Sequence, residues 1–136
     1  MPFVLDASVA VCRLFDDEDH PHARHSLDRI RGDEARVPSL WWFEVRNTLL
    51  VNERRGRLTE ADTTAFLAAL SRLAISVERT PGDDVLVLAR RRNLTVDDAA
   101  YLELARRTDL PLATPDRRLA VAARAERVAL IDEDPA

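Results

Sequence analysis

Phe3-Val4-Leu5-Asp6-Ala7-Ser8 is an apolar run cut short by a carboxylate and followed at once by residues suited to a helix start. Phe3 to Leu5 reads as a buried strand ending at Asp6, and Ala7 to Phe15 as a helix whose first turn is started by Ser8. The same grammar returns near the other end of the chain. Leu112-Ala113 reads as a short strand, and Thr114-Pro115-Asp116 opens a helix to about Ala125, with Thr114 as N-cap and Pro115 as first helical residue.

Between these two units the pattern keeps alternating. The acidic cluster Asp16 to Asp19 with His20-Pro21 breaks the first helix, a second covers His22 to Arg31 and stops at Gly32, and Arg36-Val37-Pro38 is a brief strand. Ser39 caps a long helix from Leu40 to about Arg55, Gly56 stops it, and Thr59 with Asp62 opens a further helix through Leu73, so the two form a hairpin. Ile75 to Glu78 alternates as a strand. Pro81-Gly82-Asp83 starts a helix ending in Arg90-Arg91-Arg92, Asp97 to Arg107 makes another, and Val128 to Ile131 closes the chain as a last strand. Repeated strand–helix alternation predicts an α/β fold, a mostly parallel central β-sheet flanked by helices on both faces, with a protruding helical hairpin. In such sheets ligands sit beyond the carboxyl ends of the strands.

At 136 residues the chain is the size of one domain, spanning residues 1–136. Apolar residues at 46% and charged residues at 32% suit a globular protein, and no apolar stretch is long enough to cross a bilayer. No secretory signal is visible at the N-terminus, which makes the cytoplasm the expected compartment. All 20 basic residues are Arg, which removes a P-loop lysine and Schiff-base chemistry and weighs against an aspartyl-phosphate site. A single cysteine, Cys12, excludes an intrachain disulfide, a Cys-rich zinc site and an iron–sulfur cluster, and reads as a small core residue. The 24 acids leave a net charge of −4, which does not exclude nucleic acid if arginines gather on one face.

Four acids stand out by position. Asp6 ends the first strand, Asp116 lies just beyond the short strand at 112–113, and Asp98 begins the helix that precedes it. Glu44 shares a stripe of the long helix with Leu40, Thr48 and Val51. Each has a plain structural reading: Asp6 and Ser8 as caps, Thr95-x-x-Asp98 as a capping box, Asp116 as a favourable charge at a helix start. Glu44, mid-helix among largely apolar neighbours, gains nothing from the dipole and needs a partner. Clustered carboxylates suit Mg²⁺ or Mn²⁺, and metal-assisted hydrolysis of nucleic-acid phosphodiesters follows from that chemistry.

At these residues the sequence resembles the PIN-domain ribonucleases, particularly the VapC-type toxins of bacterial toxin–antitoxin pairs. The resemblance is carried by Val4-Leu5-Asp6-Ala7-Ser8, by Trp42-Phe43-Glu44-Val45-Arg46-Asn47, by the stretch from Leu94 to Ala105, and by Leu112-Ala113-Thr114-Pro115-Asp116-Arg117-Arg118-Leu119, in an order that spans nearly the whole chain. It implies that Asp6, Glu44, Asp98 and Asp116 form the catalytic metal site, with Ser8 and Thr114 in support and Asn47 as a further candidate. It implies Mg²⁺ with Mn²⁺ as substitute, an RNA substrate cut internally, a cognate antitoxin and a homodimer. Asp97 stands where the family often carries Tyr, so it is either an N-cap beside Asp98 or a substitute ligand. The alternative is a non-catalytic RNA- or protein-binding module on the same fold.

The remaining features have duller explanations. His20, His22 and His25 read as solvated surface. Trp41, Trp42 and Phe43 read first as packing and second as an exposed groove for a partner helix. Arg54, Arg55, Arg57 and Arg90 to Arg92 complement helix dipoles, and are also candidate contacts to RNA phosphates.

Overall fold

Ten elements follow one another along residues 2–12, 33–79 and 82–131, the residues that the computed structural model describes. They are β1 (Phe3–Leu5), α1 (Ala7–Cys12), β2 (Ala35–Pro38), α2 (Leu40–Arg54), α3 (Glu60–Leu70), β3 (Ile75–Glu78), α4 (Asp84–Arg92), α5 (Val96–Thr108), β4 (Leu112–Ala113) and α6 (Arg117–Ala125). The sheet order is β3-β2-β1-β4, and every pairing is parallel. The fold is thus the α/β architecture expected, with six helices among the described residues.

Burial shows that β1, inside the sheet, and β4, at the end of its order, both belong to the core. Phe3, Val4 and Leu5 are wholly buried, as is Leu112, and α5 packs its Tyr101, Leu102 and Leu104 into the same core. A strand inaccessible on both faces reads as a continuous apolar run, as β1 does. The register pairs Val4 with Leu112 and Leu5 with Ala113, and the Asp6 N–H then donates to the Ala113 carbonyl at 3.0 Å. The residues just past the two strands, Asp6 and Thr114, therefore leave the sheet side by side.

Several expectations need correction. Val128 to Ile131 is not a strand: only an isolated bridge joins Leu130 to Leu112. Ser39 does not cap α2, because its backbone is already helical (φ −58°, ψ −32°) and its hydroxyl makes no cap bond. Thr114 is not the N-cap of α6; Asp116 takes that place and accepts from the Arg118 and Leu119 N–H groups. Asp97 is not an N-cap either, since Thr95 caps α5 by accepting from Asp98 N–H. The helix expected through Leu73 ends at Leu70. The segment 13–32, with its second helix and three histidines, and Pro81 lie outside the described residues.

Other signals held. Gly56 ends α2 with φ +74°, which favours glycine, and Thr59 with Asp62 forms a full capping box on α3. Of α3 only Leu70 is buried, while Thr63 donates to Glu53 at 2.6 Å across the hairpin. Of the three aromatics on α2, only Trp41 is core. The 100° step per residue puts Trp41, Val45 and Leu49 on the inner face and leaves Trp42 at 45% and Phe43 at 68% exposure. The Arg46 guanidinium covers the Trp42 ring at 3.7 Å. No helix among the described residues is long and apolar enough to cross a membrane.

Glu126, just past α6, joins the last helix to α4 and α5. Its side chain is 5% exposed and receives Arg91 at 2.6 and 3.1 Å and Arg92 at 2.6 Å, with Arg106 at 3.5 Å. Burial alone would raise its pKa, but hydrogen bonds from Arg91 and Arg92 outweigh it and hold the carboxyl below its ordinary value. A depressed carboxylate stabilises the fold above its ordinary range and loses that contribution as pH falls through the lowered pKa. Glu126→Gln is therefore expected to cost about 1–2 kcal/mol at pH 7, the exposure of the arginines keeping it modest, with the difference from wild type closing in acid; urea unfolding at several pH values checks this.

Candidate active site

Asp6 is 6% exposed, and the chain surrounds it with donors. The Ser8 N–H and hydroxyl reach its Oδ1 at 3.1 and 3.2 Å, and the Thr114 hydroxyl reaches Oδ2 at 2.6 Å. Burial nevertheless wins: it raises the Asp6 pKa against the pull of Thr114 and Ser8, and the charge of Asp116 adds to the rise. Thr114 also accepts from the Asp116 N–H at 3.1 Å, so one hydroxyl joins the two strand exits.

Glu44 arrives from α2, half-buried, and accepts a 2.5 Å hydrogen bond from the Tyr101 hydroxyl, which in turn accepts from the Ala7 N–H at 3.3 Å. Burial pushes Glu44 up to about 7, opposed by Tyr101 and reinforced by the charges of Asp6, Asp97 and Asp98. Asp98 is raised by burial first and then by Asp116 and Asp6. Asp6, Asp98 and Asp116 thus lie within one another's fields, and Glu44 lies within those of Asp6 and Asp98, the four coming from the end of β1, α2, the start of α5 and the start of α6. Asp97 is exposed and adds negative charge to Glu44 and Asp98. Asn47 is exposed, and among the described residues no hydrogen bond ties its side chain to the acids.

Tyr101 is the residue that sequence reasoning passed over. It lies one helical turn after Asp98, hence on the same face of α5, and that spacing was the available signal. Burial, then the Glu44 carboxylate, pushes its phenol far above the ordinary value, so it remains a donor. Tyr101→Phe leaves Glu44 and the Ala7 N–H without their partner; the expected loss is about 2 kcal/mol in urea unfolding, with the fold retained.

The donor set is all oxygen, anionic and crowded, which is the chemistry that suits Mg²⁺ or Mn²⁺. Among the described residues no three Asp, Glu, His or Cys side chains are grouped closely enough to hold a metal ion between them. The donor chemistry, all oxygen and anionic, fits a hard cation that keeps most of its own waters and is held by one or two carboxylates at a time.

The family to which these residues correspond is decided by a match over nearly the whole chain: the PIN domain is recognised across residues 3–125. The chain belongs to the PIN-domain family. Among relatives of this PIN domain, Ribonuclease VapC3 of Pyrobaculum aerophilum is 31% identical over 124 residues, covering 88% of this chain and 93% of the relative. Ribonuclease VapC9 of Mycobacterium tuberculosis is 31% identical over 116 residues, covering 85% and 87%. The crystal structure of PAE2754 from Pyrobaculum aerophilum superposes with a TM-score of 0.71 at 26% identity, over 90% of this chain and 84% of that one. That of FitAcB from Neisseria gonorrhoeae shares the fold, with a TM-score of 0.56 at 17% identity over 97% of both chains.

Proposed function

We propose that this PIN domain is a metal-dependent endoribonuclease, the toxin of a toxin–antitoxin pair, which hydrolyses RNA phosphodiester bonds at the Asp6–Glu44–Asp98–Asp116 site. The observation that carries the reading is the overlap of carboxylate charges around the exits of β1 and β4, where Asp6 feels Asp116, Asp98 feels both, and Glu44 feels Asp6 and Asp98, in a chain whose relatives are VapC ribonucleases. Asp6, Asp98, Asp116 and Glu44 would hold a Mg²⁺ or Mn²⁺ ion, which when bound supplies water activation and stabilisation of the leaving oxygen.

The rest of the work falls to the chain. Ser8 and Thr114 fix both oxygens of Asp6 and so set the direction in which its charge is presented. Tyr101 steadies Glu44 toward the same centre. Asp116 spends one oxygen on the first turn of α6, which fixes its rotamer and leaves the other oxygen outside that cap. An antitoxin partner, an RNA substrate, a homodimer and a cytoplasmic setting belong to the same proposal.

The test is direct. Purified protein should cleave single-stranded RNA in Mg²⁺ or Mn²⁺ and stop on chelation; cleavage that persists in EDTA, or that survives Asp6→Asn unchanged, removes the mechanism. Binding of RNA without turnover under any divalent cation would instead support the idle-site alternative.

A further inference from the structure

Two open clefts meet at the start of α6. One, about 530 Å³, is walled by Thr114, Pro115 and Asp116, the segment just past β4. The other, about 450 Å³, runs between the end of α4 and α6 and is lined by Arg91, Arg92, Asn93, Arg117 and Arg118. Arg117 and Val121 line both, so the clefts flank the same two side chains. Arg117 and Arg118 are exposed, and among the described residues their guanidinium groups engage no partner. Arg91 and Arg92, with Arg106, share the single carboxylate of Glu126, so positive charge is in excess there too.

This is an unusual charge distribution for a chain of net charge −4. Four carboxylates and four arginines stand on either side of one helix start, and the switch of sign occurs between Asp116 and Arg117. Surface arginines that served only solubility would be interspersed with acids, and helix capping accounts for Arg91 and Arg92 at the end of α4 but not for Arg117 and Arg118 at the beginning of α6, where a cation opposes the dipole. An anion laid across that turn removes the conflict.

We infer that the α4–α6 cleft is the track along which the phosphates of the RNA strand run away from the scissile bond, with Arg117 and Arg118 as the first phosphate contacts beyond the carboxylates and Arg91 and Arg92 farther along. The inference rests on the ribonuclease reading. It assigns these arginines to backbone positioning, not to sequence readout. Val121, 61% exposed between the two clefts, offers an apolar surface to the sugars.

The experiment measures binding of a fluorescent twelve-nucleotide RNA in EDTA across a salt series, for wild type, Arg117→Gln/Arg118→Gln, Arg117→Lys/Arg118→Lys and the charge-matched control Arg72→Gln/Arg79→Gln, two exposed arginines that flank β3 at the opposite edge of the sheet. Each single-strand phosphate contact contributes about 0.7 to the log–log salt slope. The glutamine pair should flatten the slope by about 1.4 and weaken binding at 0.1 M salt on the order of twentyfold. The lysine pair should restore both, and the control should match wild type. A glutamine pair indistinguishable from wild type, a lysine pair that fails to restore binding, or a control that falls equally overturns the track. If those results come with normal cleavage in Mg²⁺, the ribonuclease reading stands and only the track is lost; RNA neither bound nor cut overturns both.

Discussion

Asp98→Asn is expected to lower RNA cleavage by about a thousandfold while leaving the protein folded. The size follows from the several kcal/mol of transition-state charge stabilisation that a carboxylate-held cation supplies, at one decade in rate per 1.36 kcal/mol. Retention of the fold follows from the electrostatics of the residue itself. Asp98 is raised by burial and by Asp116 and Asp6, so removing its charge relieves repulsion, and its N–H keeps the Thr95 cap. The metal-free variant should therefore unfold at a temperature no lower than wild type. Cleavage of a labelled RNA together with a thermal melt checks both halves; activity within tenfold of wild type would count against the site.

Divalent cation should also stabilise the protein in a pH-dependent way. Glu44 is raised to about 7 from an ordinary 4.5, so the stability linked to its protonation is complete below 4.5 and is lost as pH rises through about 7. Asp6 and Asp98 are shifted in the same direction. Metal-free protein should therefore melt at a lower temperature at pH 8 than at pH 5. At pH 8, Mg²⁺ or Mn²⁺ at a hundred times its dissociation constant adds about 2.7 kcal/mol, which at roughly 4 °C per kcal/mol is a rise of about 10 °C. The rise should shrink at pH 5, where protons compete for the same oxygens, and in Asp98→Asn. A midpoint indifferent to millimolar cation at pH 8 would show that these oxygens do not hold one.

Much of this arrangement was legible in the sequence because strand exits are easy to find. Phe3-Val4-Leu5 and Leu112-Ala113 are short apolar runs that each stop at a polar residue, and parallel pairing then makes neighbours of Asp6 and Thr114 without further information. The hairpin was legible through Gly56 and the Thr59–Asp62 box. What the pattern did not contain was partner choice. Val128 to Ile131 has the composition of a strand, but Leu130 meets Leu112 in a single bridge, and only the three-dimensional edge decides that. Thr114 has the credentials of an N-cap, yet its hydroxyl donates to Asp6 and accepts from the Asp116 N–H in a turn before the helix, which begins at Arg117 and leaves the capping role to Asp116. Tyr101 hid because a buried tyrosine on a helix reads as core until the carboxylate facing its hydroxyl is known.

The two-residue length of β4 ties catalysis to cooperativity. Asp6 and Thr114 are held in place by a ladder so brief that it cannot loosen at one end while staying zipped at the other. So short a ladder opens as a unit and displaces Asp6 and Thr114 together, so warming or denaturant should extinguish turnover no later than tertiary order.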